Sequence, residues 1–103
     1  MDINFFYSDI CSHCAEIKPL VNQLVDYKGN WFFYEVSNKE NNDLFLAEGF
    51  EGVPAFKIIT DDYREIKFTG ANKNKLVCEL LEESNLNCPT YSANNCIAGS
   101  WFI

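Results

Sequence analysis

A chain of 103 residues, 48% hydrophobic and 16% aromatic, is long enough to bury one ordinary core and too apolar to stay disordered, so a single folded domain is expected. Its formal charge of -7 leaves no basic surface to gather phosphates, which argues against nucleic-acid binding and against attraction to anionic lipid. Five cysteines cannot all pair with one another, so at least one thiol is free or pairs outside the chain.

In chain order, residues 2–7 read as a strand, and residues 8–10 as a loop that delivers Cys11. Ile17, Leu20, Val21, Leu24 and Val25 follow the spacing of one helix face, with Gly29 as the stop signal. Residues 31–36 are nearly continuous in apolar and aromatic side chains, which predicts a parallel central strand covered on both faces. Residues 41–48 form a short helix ended by Gly49. Residues 55–60 and 63–69 form a hairpin joined through Asp61-Asp62, and Leu76, Val77, Leu80 and Leu81 mark a last helix over about 72–84. The order β-α-β-α-β-β-α predicts an α/β fold, a four-stranded mixed sheet with three helices, in which the first strand, helix and strand cross over right-handedly. Residues 1–85 make the domain. Residues 86–103 make a tail carrying Cys88, Cys96 and the apolar end Trp101-Phe102-Ile103, whose docking on the domain would cover the apolar rim formed by Ile10 and Phe50.

The start of the chain lacks the positive charge and cleavage site of a secretory signal, and no apolar run approaches the ~20 residues that cross a bilayer. A cytoplasmic, monomeric protein with no membrane contact is the expectation.

Chemistry concentrates in Cys11-Ser12-His13-Cys14, between the first strand and the first helix. Two thiols three residues apart at a first helical turn fall on one side, close enough to close a small disulfide ring. The leading thiol lies among unbonded N–H groups at the positive end of the helix dipole, which favours its thiolate. That pattern points to redox chemistry with Cys11 as nucleophile and Cys14 as resolving thiol. Two other readings compete with it: buried cysteines used as small hydrophobes, or half of a zinc site. No second CxxC exists to complete a zinc site, and Cys88 and Cys96 are separated by seven residues.

Beyond the CxxC, Pro19 stands eight residues after Cys11, Gly52-Val53-Pro54 forms a turn, and Gly70 follows the last strand. With these the chain resembles the thioredoxin superfamily over residues 2–85, in the minimal, glutaredoxin-sized version without the extra N-terminal strand and helix. The resemblance implies an exposed Cys11, a shielded Cys14 and a cis-proline at Pro54 facing them. Val53, through its carbonyl and N–H, would pair with an extended substrate peptide. His13 resembles the histidine of the CxHC in disulfide isomerases, where a neighbouring imidazole stabilises the thiolate and raises the reduction potential; an intermediate potential is expected here.

Departures from the family also bear on function. Ile10 stands where thioredoxins place a tryptophan, so an aromatic platform for substrate would have to come from Phe6 or Phe50. The acid that thioredoxins bury below the resolving cysteine is replaced by Phe5 or Asn4, with Glu35 the nearest substitute unless it points to water. Thr69-Gly70-Ala71-Asn72 keeps one glycine of the glutaredoxin glutathione clasp, with Lys73 and Lys75 nearby. Cys78 reads as packed and inert, and Cys88 and Cys96 either close a loop or stay as thiols.

The reading is a protein dithiol–disulfide oxidoreductase with Cys11, Cys14 and His13 catalytic and Ile10, Val53 and Pro54 binding substrate. It needs no metal and no tightly bound cofactor. Its partners would be protein disulfides and a reductase or glutathione. The alternatives are a glutathione-dependent glutaredoxin, an oxidising or isomerising enzyme, and a non-enzymatic binding module.

Overall fold

Side chains alternate along the first strand, so Ile3 and Phe5 go to one face of the sheet and Phe6 to the other, and all three are buried. The computed structural model describes residues 1–27, 29–80 and, for their backbone alone, 96–97. Its elements are β1 (Asp2–Tyr7), α1 (Ser12–Val25), β2 (Asn30–Glu35), α2 (Lys39–Ala47), β3 (Gly52–Val53), β4 (Ala55–Ile59), β5 (Glu65–Thr69), α3 (Lys73–Leu80) and β6 (Cys96–Ile97). Four strands form one mixed sheet in the order β2-β1-β4-β5, with β1 and β2 parallel and the other neighbours antiparallel. A separate pair joins β3 to β6.

Both faces of the sheet are covered. On one, Ile3, Phe5, Phe56 and Ile58 meet Ile17, Val21 and Leu24 of α1 and Leu76 and Leu80 of α3. Phe5, Phe56 and Phe68 stand opposite one another across three strands and stack at 4.9 and 5.0 Å between ring centroids. Such cross-strand aromatic pairs fix register as well as adding contact area. On the other face, Phe6 and Ala55 meet Phe45 of α2 together with Val36, Phe50, Val53, Cys11 and Cys14. The motif cysteines therefore belong to the second cluster, at the end of β1.

Several expectations need correction. β2 is parallel to β1 but lies at the sheet edge, and Phe32 and Phe33 are each 46% exposed, so it is neither central nor covered on both faces. The cause is topological: β1 takes the middle, with β4 on its other side, and no described strand lies beyond β2. α2 starts at Lys39 because Asn38 is the cap, its side-chain oxygen accepting the Asn41 N–H at 3.2 Å. The hairpin turn is longer than Asp61-Asp62, since Thr60 donates its N–H to Arg64 O at 2.9 Å around Tyr63, whose φ is 65°. β3 is a strand that periodicity did not reveal; two residues are too few to carry any period. α3 is described to Leu80, so its expected continuation to 84, the docking of Trp101, Phe102 and Ile103, and a Cys88–Cys96 loop lie outside the described residues.

Gly29 closes the α1–β2 turn at φ 92°, where a Cβ would run into Ile3 Cδ1. Among the described residues, no helix is long and apolar enough to cross a membrane.

Candidate active site

Cys11 is the N-cap of α1, with extended backbone (φ -93°, ψ 118°) and no side-chain capping bond. Its N–H donates to Ser8 O at 3.2 Å and its carbonyl accepts the Ala15 N–H at 3.2 Å. The first turn of α1 carries no acidic residue to offset its positive end beside the Cys11 sulfur. Cys11 Sγ lies 3.6 Å from Val53 O. The resemblance implied an exposed Cys11, and this is corrected: the residue is 3% exposed, turned onto Val53, and it is disulfide-bonded. Its partner is not Cys14, which is a free, fully buried thiol.

Burial pushes the Cys14 thiol up from 9.0 to about 11, against the Ser8 N–H, which donates to its sulfur at 3.5 Å, and the Lys18 ammonium, which both pull the other way. Ser8 is itself buried and does three things in the loop. It accepts the Cys11 N–H, donates its own N–H to Cys14, and its hydroxyl accepts the Ile10 N–H at 3.3 Å. Sequence reading passed over Ser8 and Lys18. A small hydroxyl residue between strand and motif, and a lysine four residues after Cys14 on the same helix face, were the available signals.

The Val53–Pro54 bond is cis, as the resemblance implies, and both residues are fully buried. Gly70, at φ 100°, donates its N–H to Pro54 O at 2.8 Å, tying the end of β5 to this turn; only glycine adopts that conformation without strain. Val53 and Cys11 thus come together directly, with Pro54 next in the chain. Ile10 sits beside them at the rim, 72% exposed. Phe6 and Phe50 cannot replace the missing tryptophan as a surface platform. Both are buried and packed against Phe45, at 5.8 Å from its ring in each case.

His13 is half-buried one residue before Cys14, its Nδ1 3.5 Å from Glu16 Oε2. Glu35 does not take the place of the buried acid: its carboxylate accepts the exposed N–H groups of Asp9 at 3.3 Å and Ser37 at 2.9 Å. Its charge is still close enough to raise the Cys14 thiol slightly. Asn4 donates its side-chain amide to Lys57 O at 3.3 Å, and Phe5 is core, so no acid stands in either candidate position. Of the glutathione-clasp candidates, Asn72 is a helix cap, accepting the Lys75 N–H at 3.0 Å, and Lys75 pairs with Glu79 at 2.8 Å. Cys78 is not inert: it is disulfide-bonded. It sits two residues from each of the inward-facing Leu76 and Leu80, on a part of α3 turned off the core.

Comparison with known proteins agrees with this fold. A family model described as Thioredoxin matches residues 3–83. A thioredoxin of Mus musculus is 30% identical over 77 residues, covering 75% of this chain and 73% of its own, and one of Gallus gallus is 30% identical over 71 residues, covering 69% and 68%. Among solved structures, mitochondrial thioredoxin 3 of Saccharomyces cerevisiae in its oxidised form superposes with a TM-score of 0.68 at 21% identity, covering 79% of this chain and 76% of its own. A structure titled as the complex of ferredoxin:thioredoxin reductase and thioredoxin f2 matches with a TM-score of 0.64 at 25% identity, covering 82% and 77%.

Proposed function

Because this chain belongs to the thioredoxin family and is a protein disulfide oxidoreductase, we propose that Cys11 is its attacking thiol, Cys14 its resolving thiol and His13 the neighbour that stabilises the Cys11 thiolate. The single observation that carries the assignment is the contrast in setting between the two sulfurs. Cys11 stands at the helix N-terminus facing Val53, whereas Cys14 is enclosed and held protonated by burial.

In the forward step, Cys11 thiolate attacks one sulfur of a substrate disulfide. The substrate S–S bond breaks, a Cys11–substrate bond forms, and the departing thiolate takes a proton from water. Cys14 then loses its proton and attacks Cys11 Sγ, forming the Cys11–Cys14 disulfide and releasing the second substrate thiolate. With its thiol at about 11, roughly one Cys14 in ten thousand is ionised at pH 7, so this second step is the slower one unless the mixed disulfide lowers that value.

Val53 and Pro54 bind the substrate backbone in this proposal, and Ile10 supplies the apolar contact at the rim. The recharging partner is a protein reductase in preference to glutathione, since Lys75, one of the cations a glutathione carboxylate would need, is engaged by Glu79. A monomeric, cytoplasmic protein completes the proposal. The test is steady-state reduction of a disulfide-bonded protein, recharged either by a thioredoxin reductase or by glutathione with its reductase. Turnover only in the glutathione arm would favour the glutaredoxin reading, and turnover in neither would remove the proposal.

A further inference from the structure

We propose that Lys18 is a positioning residue for the resolving step: its ammonium, fixed on the loop that touches Cys14, stabilises the Cys14 thiolate as that thiolate forms to attack the mixed disulfide. The inference rests on the reading of Cys14 as the resolving thiol. Neither Phe5 nor Asn4 can take a proton from Cys14, so what favours its thiolate has to come from other groups.

Lys18 stands four residues after Cys14 on α1, which brings the two side chains to one face of the helix. Its ammonium lies 3.2 Å from Asp9 Oδ1 and 4.5 Å from the centre of the Tyr7 ring. Tyr7 and Asp9 flank Ser8, whose N–H donates to Cys14 Sγ at 3.5 Å. One three-residue stretch therefore holds the cation with its two ends and the sulfur with its middle. Asp9 is itself tied to β2, its N–H donating to Glu35 at 3.3 Å.

The charges that act on the thiol divide in sign. Lys18 favours the thiolate, while Glu35 and Asp9 oppose it. Tyr7 meets the cation with its ring, and His13, next to Cys14 in the chain, has its Nδ1 3.5 Å from Glu16. From α2, β3 and β4 the neighbours in the cluster are Phe45, Val53 and Ala55, which carry no charge. Among these groups the pull toward the thiolate comes from Lys18.

In the step itself the Cys14 proton goes to water and the Cys14 thiolate attacks Cys11 Sγ. The Cys11–Cys14 bond forms, the Cys11–substrate bond breaks and the substrate leaves as a thiolate, so one disulfide replaces another. The size of the effect is bounded by the chemistry. Thiolate nucleophilicity rises with thiol pKa, with a Brønsted slope of about 0.4–0.5. Losing a cation that lowers the thiol by about one pH unit thus cuts the thiolate about tenfold at neutral pH but slows attack only roughly threefold. Lys18 is partly exposed, so salt screens its charge.

The experiment mixes the reduced full chain with a disulfide-bonded protein, quenches in acid at a series of times, and follows the mixed disulfide by mass spectrometry in wild type, Lys18→Met and Lys18→Arg. Formation through Cys11 should stay within about twofold in all three, whereas decay should slow roughly threefold at pH 7 in Lys18→Met and recover in Lys18→Arg. The pH profile of decay should move up by about one pH unit in Lys18→Met, and added salt should slow the wild type toward that variant. Decay of Lys18→Met at the wild-type rate with the wild-type pH profile overturns the inference. Equally slow decay in Lys18→Arg, or formation slowed as much as decay, overturns it too. In each of these cases a Cys11 mixed disulfide resolved by Cys14 leaves the functional reading standing. A wild type that forms no mixed disulfide through Cys11 removes that reading and the inference with it.

Discussion

Ser8 donates its backbone N–H to Cys14 Sγ across 3.5 Å, which ties the loop after β1 to the one thiol among the described residues that is both free and fully buried. The bond sits at the junction of strand and helix, so the same residue sets the path of the chain into Cys11 and the polarity around Cys14. Replacing Ser8 by alanine keeps that N–H but removes the hydroxyl that accepts Ile10 N–H. Loss of about 1 kcal/mol is expected, a fall in Tm of roughly 4–8 °C for a domain of this size. Thermal unfolding of the reduced protein measures it.

Cys14 makes stability depend on pH. Burial raises its folded value from 9.0 to about 11, so the unfolded chain releases the proton first as pH rises. The contribution is complete below pH 9 and is lost as pH climbs toward 11, amounting to about 2–3 kcal/mol across that window. Urea unfolding of the reduced protein between pH 8 and pH 11 should show this loss, and Cys14→Ala should be flatter over the same range.

How much of this was legible in the sequence depended on chain length and on contact order. β1 and α1 carry clear periods, and the CxxC, Pro54 and Gly70 stand at fixed spacings, so the fold class and the meeting of Cys11 with Val53 and Pro54 were within reach. The edge position of β2 was not, because an apolar run such as Trp31-Phe32-Phe33 reads the same whether its faces are covered or open. Nor was the burial of Phe6 and Phe50, which depends on Phe45 arriving from α2. The β3–β6 pairing joins residues more than forty positions apart through two two-residue strands, and no local pattern encodes it.

His13 stands one residue before Cys14, with its Nδ1 3.5 Å from Glu16 Oε2. Replacing His13 by proline is expected to lower the reduction potential of the motif by roughly tens of millivolts, since a group that stabilises the thiolate, and hence the reduced form, is removed. Equilibration of the wild type and His13→Pro with a glutathione buffer gives the value. An unchanged or higher potential would mean the ring acts on Glu16 alone.

Away from the site, Glu48 binds Lys57 at 2.6 Å and Lys67 at 2.8 Å, and these two ammonium groups hold its carboxyl below the usual 4.5. A depressed carboxyl contributes stability above its unfolded value and loses it as pH falls through the folded one. Glu48→Gln should therefore destabilise by up to about 1 kcal/mol at pH 7, and the difference from wild type should shrink below pH 4.5 and vanish in stronger acid. Chemical denaturation at the two pH values checks the sign.

The most direct test of the account is trapping by single-cysteine variants of the motif. Cys14→Ser and Cys11→Ser are reduced, mixed with a disulfide-bonded protein at neutral pH and quenched in acid. A mixed disulfide should accumulate through Cys11 in the Cys14→Ser protein, with none in the Cys11→Ser protein, whose remaining motif thiol is buried and protonated. Trapping through Cys14 in the Cys11→Ser protein, with none through Cys11, would contradict the assignment of the attacking thiol.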